Sequence, residues 1–453
     1  MLPSAPVLRT ISVALAFLGA LGGRTTARAN PAGVVPTAGN PGLGNALHAH
    51  VEYSYEIDDA NIDREQVGDA AADPLGALPV RNDLKFHQVR QVLTPGAELA
   101  FYQNFWISFA VPIVLSQTRE LRFASGVNAT NSTTVLDGIL PAAGFDARAG
   151  GGALGGDLVF RGVNRAGVPE LRGGVGWAPM NQALDDTKPT WKLGVEGRFS
   201  IGRVMQVDPA DPGGETGVST GVHTLRLWTS FDRRFRYFEG WFEASVELPV
   251  YVAGDSQFRD PGFGAINTRP GQVAGASFGV ETYFVDNPET GSRLGVDLGG
   301  RFATHFTGRG YSEMWEVFGY AGGAAGPLAL DADPTTAGNQ ALANPGVSNI
   351  ETYLEAAGKV ALRGRIGRRV TLSALGELVW KSNHVISFTP AGVDLPTCPS
   401  GAPRCENDNN DLVSPGTQEV NPLHVQRVDL VGHRYHADNN RGIVLGAEVQ
   451  ILF

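Results

Sequence analysis

The stretch GIVLGAEVQILF, residues 442–453, ends the chain and decides the fold. Its odd-numbered positions are all apolar: Ile443, Leu445, Ala447, Val449, Ile451 and Phe453. The even-numbered positions are mostly small or polar, and only Val444 and Leu452 depart from this rule. An alternation with a period of two residues indicates a β-strand whose two faces meet different surroundings.

The same alternation recurs along the chain, in ALHAHVEYSYEI (46–57), WKLGVEGRFSIG (191–202), RLGVDLGGRFATHF (293–306) and YLEAAGKVALRGR (353–365). A soluble β-sandwich also alternates, but its strands are usually shorter, about 5–6 residues. Here the polar faces mix acids, bases and glycine, and aromatic residues stand near the ends of runs, as at Trp191, Trp241 and Trp380. Long strands with one apolar face and aromatic ends are typical of a transmembrane β-barrel.

The connections alternate between short and long. Short links are predicted near 103–104, 185–189, 234–239, 287–291 and 365–368, and long stretches rich in Gly, Pro, Asp and Asn at 58–83, 117–169, 205–220, 253–272, 307–349 and 388–440. Five hairpins, strand 44–57 and the terminal strand 441–453 give about twelve strands. The sequence therefore predicts an all-β protein, an antiparallel up-and-down barrel over residues 44–453 with long extracellular loops.

Composition agrees with this interpretation. Charged residues make up 18% of the chain and glycine contributes 59 residues, which suits sheets with tight turns more than a helical enzyme. The net charge of −10 speaks against nucleic acid as a partner, because nucleic-acid binding needs a basic surface.

The N-terminus has the order of a secretory signal. Arg9 precedes the short apolar run ISVALAFLGALGG, and ARA ends at Ala29. We expect a signal peptide at 1–29 and a short periplasmic segment at 30–43. The alternative, a membrane anchor, is weakened by the shortness of the run and by Arg24 and Arg28. No later segment offers about twenty apolar residues.

The signal, the alternating strands and the terminal AEVQILF resemble Gram-negative outer-membrane β-barrels. The resemblance implies an outer-membrane location, contact with outer-membrane lipid, and recognition of the last strand by the barrel-assembly machinery. On this chain the implied assembly signal is Ile443, Leu445, Val449, Ile451 and Phe453. The stretch ELAFYQNFWISFAVPIV (98–114) also looks loosely like transporter barrels linked to the degradation of aromatic compounds.

The charged residues on the polar face of each predicted strand are the candidate lumen-facing residues. They are Glu52, Glu56, Lys192, Glu196, Arg198, Arg226, Glu243, Glu247, Arg293, Asp297, Arg301, Glu355, Lys359, Arg363, Glu377 and Glu448. One interpretation is a charged, water-filled lumen that passes small polar solutes; the other is an ion-pair network that fills a narrow barrel. Because both signs are interleaved, no strong ion preference follows.

Candidates for other chemistry are weak. Cys398 and Cys405 in CPSGAPRC are expected to form a disulfide across a turn, with a metal site as the alternative. The histidine groups His433/His436 and His48/His50 lack a zinc spacing, and no metal or cofactor is predicted.

His384 and Ser387 lie close in sequence, but no orienting carboxylate accompanies them, so no catalytic residue and no enzyme activity is predicted. The leading hypothesis is a channel or facilitator for small solutes. The alternative is a non-conducting barrel that anchors envelope proteins or binds partners through its long loops.

Overall fold

A computed structural model describes residues 35–36, 46–66, 78–258, 269–331, 341–389, 392–393, 419–420 and 423–453. Within these ranges no helix has the length and apolar content required to cross a membrane. The predicted signal peptide and the cysteine pair Cys398 and Cys405 lie outside the described residues.

Twelve long strands form one closed antiparallel barrel. They are β1 (Leu47–Glu65), β2 (Val80–Tyr102), β3 (Phe105–Ala110, continued as Ile113–Phe123), β4 (Glu170–Met180), β5 (Thr190–Ser200), β6 (Val222–Arg234), β7 (Phe238–Val252), β8 (Val273–Asn287), β9 (Ser292–His305), β10 (Tyr353–Ile366), β11 (Val370–Lys381) and β12 (Tyr435–Leu452). This architecture confirms the predicted fold class and strand number.

Each strand pairs with the next along the chain, and the terminal stretch closes the barrel against the first strand. Val449 of β12 lies opposite Val51 of β1, and Phe453 N–H donates to the carbonyl of Leu47 at 2.8 Å. Closure leaves no unpaired sheet edge, which would cost several kcal/mol per orphaned backbone group in a hydrocarbon environment. The break in β3 falls at Val111 and Pro112, since proline cannot donate to a strand ladder.

The outward and inward faces of the strands differ in polarity and in exposure. Outward positions such as Val195, Leu298 and Val360 are exposed although they are apolar. Inward positions such as Glu377 and Asp297 are buried although they are charged. This inversion of a soluble protein is the arrangement that a lipid environment outside a polar interior requires.

Short connections gather at one end, here called the short-turn end. They are 103–104, 181–189, 235–237, 288–291 and 367–369. Inside the barrel near this end, Val35 of the N-terminal segment packs against Trp106 and Ala178, with Trp228 beside them.

The opposite end, here called the loop end, carries the longer connections, which fold together into a cap. The cap contains α1 (Thr133–Leu136), α2 (Trp315–Ala321), α3 (Gln426–Asp429) and a 3₁₀ turn at Ala147–Ala149. Its short strands, some of which extend the barrel wall, are Phe145–Asp146, Leu158–Arg161, Arg165–Gly167, Gly308–Gly310, Leu330–Asp331, Ala341–Leu342, Ser348–Ile350, His384–Val385, Gly392–Val393 and Glu419–Val420.

The cap has its own hydrophobic core. The segment around α2 supplies Met314, Val317 and Phe318, which pack with Ile62 of β1 and Tyr435 of β12, all almost inaccessible to solvent. Burying side chains of this size stabilises a fold by roughly 1.5–3 kcal/mol each. The loops therefore form a packed lid over the barrel, and not a set of independent surface loops.

The strand ends differ from their predicted positions at the loop end. β1 was expected to end at 57 and continues to Glu65, and β12 was expected to begin at 441 and begins at Tyr435. Both extensions enter the cap. Both faces of β1 are buried from Ile62 to Glu65, and polar residues occupy either face of both extensions, so an apolar alternation no longer marks them.

Candidate functional site

A cavity of about 570 Å³ lies inside the barrel beneath the cap. Glu52 and Glu56 of β1 line one side, and Arg198 of β5 and Arg226 of β6 line another. Tyr311, from the connection between β9 and β10, contributes to the lining from the cap. The two-residue period of the strands brings these charges inward, because every second side chain must point away from the outer face.

Ion pairs connect the charges on β5, β6 and β7. Arg198 Nη1 lies 2.9 Å from Glu247 Oε2, and its Nε lies 2.8 Å from Glu196 Oε1. Arg226 Nη2 lies 2.5 Å from Glu243 Oε1 and its Nε 3.6 Å from Glu247 Oε1. The wall at this height is thus a continuous chain of alternating charges in which each carboxylate is shared or held by a guanidinium.

A second chain spans β9, β10 and β11. Arg301 forms ion pairs with Glu355 of β10 and with Glu377 of β11, the latter at 2.7 Å. His305 lies four residues after Arg301 on the same face of β9, and its Nε2 is 3.6 Å from Glu355 Oε2. Both carboxylates are nearly inaccessible to solvent, and Arg301 is partly accessible from the cavity.

A third group lies around Trp241. Its indole Nε1 donates to Asp297 Oδ1 at 2.7 Å, and Lys359 Nζ sits 4.0 Å from the centre of its ring. The same ammonium is 3.8 Å from Asp297 Oδ2. Cation–π and ionic contacts to one lysine are strongest where water is scarce, which fits the burial of all three side chains.

The structure brings most of the predicted lumen residues into these groups. Those lining the cavity are Glu52, Glu56, Arg198, Arg226, Glu243, Glu247, Arg301, Glu355 and Lys359. Glu196 and Glu377 form ion pairs with the cavity-lining residues Arg198 and Arg301. Asp297 lies 3.8 Å from Lys359, and Arg363 pairs with Glu281 at 2.5 Å. Lys192 is buried, Glu448 lies opposite Glu52 across the seam, and Arg293 lies at the short-turn end beside Asp286.

Aromatic stacking at the cavity was not predicted. The ring of Tyr353 stacks between His305, at 4.4 Å, and His384, at 4.2 Å between centroids. All three line the cavity. The sequence places His305 on the polar face of its strand, but the three residues come from separate segments and no spacing links them.

The weak sequence candidates make other contacts. Ser387 Oγ donates to the carbonyl of Val428 at 2.7 Å and accepts from Tyr435 N–H, whereas His384 Nδ1 lies 2.8 Å from the carbonyl of Ser382. The serine hydroxyl and the Nδ1 atom of the histidine thus bond to the backbone and not to each other. Four other histidines lie against oxygen atoms: His436 against Glu65, His433 near Asp137, His424 against the Thr389 carbonyl and His48 near Glu98.

Comparison with known proteins gives a weak likeness of fold. No family model matches the chain, and no curated protein sequence matches it. Among solved structures, an outer-membrane channel from Pseudomonas putida F1 aligns over 92% of this chain and 100% of its own, with 9% identity and a TM-score of 0.35. A FadL homologue from Pseudomonas aeruginosa aligns over 95% and 98%, with 9% identity and a TM-score of 0.34.

An outer-membrane protease from Escherichia coli aligns over 90% of this chain and 96% of its own, with 8% identity and a TM-score of 0.27. Every one of these TM-scores is below 0.5, so the likenesses carry no argument about activity. The barrel and its charged, capped interior are the features from which a function has to be inferred.

Proposed function

We propose that this protein is a channel for small polar solutes in the outer membrane of a Gram-negative bacterium. The observation that carries the proposal is the cavity of about 570 Å³ inside the barrel, bounded by carboxylates and guanidinium groups. Burying ion pairs brings a structural barrel no advantage, since well-packed apolar residues in their place are often neutral or stabilising. A charged interior is expected where water and polar molecules must enter.

The membrane placement rests on the outer surface. Its exposed aliphatic positions, such as Leu298 and Val360, form the apolar wall that a bilayer core requires. Outer-membrane barrels have short periplasmic turns and longer extracellular loops. By that rule the short-turn end faces the periplasm and the cap faces outward.

The solutes are expected to be small and neutral overall or zwitterionic. Acidic and basic side chains alternate around the cavity, as in the pairs Arg198–Glu247 and Arg226–Glu243. A solute with separated charges finds a partner for each, whereas a lone ion meets both attraction and repulsion. The cavity volume is within the range of small-molecule sites.

Planar-bilayer conductance of the refolded protein tests this proposal. The channel should carry a steady ion current, and Glu243→Lys or Arg301→Glu should change its cation-to-anion preference, because both residues line the cavity. Lys188→Glu serves as the control, since Lys188 is exposed on a short turn and pairs with Asp185. A sealed barrel, or equal effects of the control and the cavity variants, contradicts the channel.

A second function is favoured by the packing of protein segments at both ends of the barrel. The cap has a hydrophobic core, and Val35 packs against Trp106 inside the wall near the short-turn end. These features support a non-conducting barrel that anchors envelope proteins or binds partners through the cap. This alternative predicts that the protein inserts normally into the bilayer but carries no ion current.

A further inference from the structure

Four arginines gather at the short-turn end of the barrel. Arg234 ends β6, Arg293 lies at the start of β9, Arg365 lies near the end of β10, and Arg368 is in the turn that follows. Arg365 lies opposite Arg293 and donates to the Arg368 carbonyl, and Asp286 bridges Arg293 to Arg234. An accumulation of positive charge of this kind is unfavourable by itself, and it calls for an explanation.

The strand register places two of these arginines side by side. Arg293 and Arg365 are direct partners across β9 and β10, and like charges directly opposite each other destabilise a sheet. The Nε of Arg365 is buried without a hydrogen-bond partner among the described residues, while its Nη2 donates to the Arg368 carbonyl at 2.9 Å. A guanidinium donor held in this way has capacity for an external acceptor.

One carboxylate serves two of these arginines. Asp286 Oδ2 lies 2.5 Å from Arg234 Nη2, and Asp286 Oδ1 lies 3.1 Å from Arg293 Nε. The ring of Tyr283 lies beneath both guanidinium groups, 4.6 Å from Arg234 Cζ and 5.8 Å from Arg293 Cζ. The carboxylate and the ring fix the two arginines in position.

Three other acids lie near the cluster. Glu239 is the cross-strand partner of Arg234 and accepts from the Tyr283 hydroxyl at 2.5 Å, and Glu281 pairs with a fifth arginine, Arg363, at 2.5 Å. Glu289 lies exposed on the turn between β8 and β9. Asp286 and Glu239 together carry fewer charges than the four arginines, so an excess of positive charge remains at this mouth.

We propose that this arginine cluster binds the oxyanion group of a free solute, a phosphate or a carboxylate, at the short-turn mouth of the barrel. A guanidinium offers parallel N–H donors whose spacing matches the oxygens of these groups. Bound between Arg293 and Arg365, such an anion removes their mutual repulsion and accepts hydrogen bonds from the accessible N–H groups of the two guanidinium groups. The cluster thereby holds the anionic group of a zwitterionic solute where that solute enters or leaves the lumen.

The position of the cluster favours a soluble anion over a lipid headgroup. Arg293 and Arg365 share the parity of the interior residues Asp297 and Lys359, whereas Leu294 and Ile366 carry the exposed apolar face. The strand wall thus stands between these guanidinium groups and the bilayer. A lipid phosphate would have to pass around the rim of the barrel to reach them.

Titration calorimetry of the full-length protein in a zwitterionic detergent at low salt, with inorganic phosphate as the probe, tests the site. Phosphate should bind, and Arg293→Gln and Arg365→Gln should each weaken its affinity at least tenfold. Asp286→Asn should raise the affinity severalfold, because it removes the competing carboxylate. Arg203→Gln is the matched control, since Arg203 is an exposed arginine paired with Glu215 at the loop end.

The mobility of the folded, unboiled protein on a gel shows that each variant still forms the barrel, and Arg368→Gln provides a turn variant that leaves the strands intact. Absence of phosphate binding, or equal affinities of the cluster variants and the wild type, overturns the proposal. In nanodiscs, equal phosphate affinity with and without phosphatidylglycerol supports a free solute, and displacement by this lipid overturns that assignment. Because binding is measured without ion current, phosphate binding by a sealed barrel refutes the channel while leaving this site in place.

Discussion

Arg165 and Glu316 form an ion pair inside the cap, with Arg165 Nη2 2.7 Å from Glu316 Oε1 and both side chains almost inaccessible to solvent. Arg165 belongs to the connection between β3 and β4, whereas Glu316 lies in α2, between β9 and β10. The ring of Trp315 lies against the same guanidinium, 4.8 Å from its Cζ. The pair therefore joins two distant loops, and it fixes the position of α2 above the cavity.

Removing one partner should loosen the cap. Glu316→Gln leaves the Arg165 charge buried without its carboxylate, and such changes typically cost about 3–5 kcal/mol. We expect faster hydrogen exchange and proteolysis in 306–331 and 124–169, with the barrel strands unchanged. Arg203→Gln, which breaks an exposed pair, should cost less than about 1 kcal/mol. Unaltered protection of the cap in Glu316→Gln would show that the apolar core alone positions α2.

The barrel wall makes close contact with tryptophan rings at glycines. A Cβ added at Gly194 overlaps the ring of Trp228, whereas a Cβ at Gly358 meets nothing within 4 Å. Gly194→Ala should therefore displace Trp228 and destabilise the barrel by about 1–3 kcal/mol, the usual cost of overpacking. Gly358→Ala, on another strand of the same sheet, is the control and should be close to neutral. Urea unfolding in lipid, followed by tryptophan fluorescence, compares the two; equal midpoints would contradict the crowding.

The sequence predicted the barrel well because the exposed outer face of the strands follows a simple rule. Every second residue must be apolar, and that rule gave the strand number, the short links and the interior parity of residues such as Arg301 and Glu355. It fails at the loop end. In the extension of β1 from Asp58 to Glu65, polar residues occupy either parity, and from Ile62 to Glu65 both faces are buried.

The cap and the pairing of charges had no local signal. Helix α2, of sequence WEVFGYA, is buried on nearly every side, so it has no amphipathic period and resembles a buried strand. The partners Arg165 and Glu316 are 151 residues apart, and only the folding of two loops brings them together. Parity predicts that a charge faces inward, but the identity of its partner depends on register and loop packing.

The terminal residue offers a test of assembly. The backbone of Phe453 pairs with Leu47 at the seam, and its ring is exposed on the outer face. Phe453→Ala keeps the backbone contacts, so refolding into detergent should be unchanged, while insertion in cells should fall severalfold if the assembly machinery recognises the ring. Phe284→Ala, another exposed outward phenylalanine, is the matched control. Heat-modifiable mobility of membrane fractions measures insertion, and normal insertion of the Phe453 variant refutes the assembly signal.

The stability of the cap should depend on pH through Asp429, at the end of α3. Burial raises the pKa of this carboxyl to about 7, although the Val425 N–H and the charge of Arg309 favour its ionised form. In an unfolded loop an aspartate titrates near pH 3.9, at about its ordinary pKa. Between roughly pH 4 and 7 the folded cap therefore retains a proton that the unfolded loop releases. Stability from this group is complete below about pH 4 and is lost as the pH rises to about 7.

Asp429→Asn removes this dependence while its side-chain oxygen still accepts from Val425 N–H, a contact of 2.8 Å in the wild type. The wild-type cap should lose about 3 kcal/mol between pH 5 and pH 8, since the loss runs over two pH units at 1.36 kcal/mol each, and the variant should lose almost none. Burial lowers the pKa of Arg309 to about 10, so it is charged at both pH values and cannot produce the difference.

Hydrogen exchange of 423–430, corrected for intrinsic rates, measures the effect. Asp185→Asn at the short-turn end is the control, because hydrogen bonds from Lys188 and Thr187 lower the pKa of Asp185 to about 2, below this range. A wild-type cap equally protected at both pH values would mean that Asp429 ionises without cost in the folded protein.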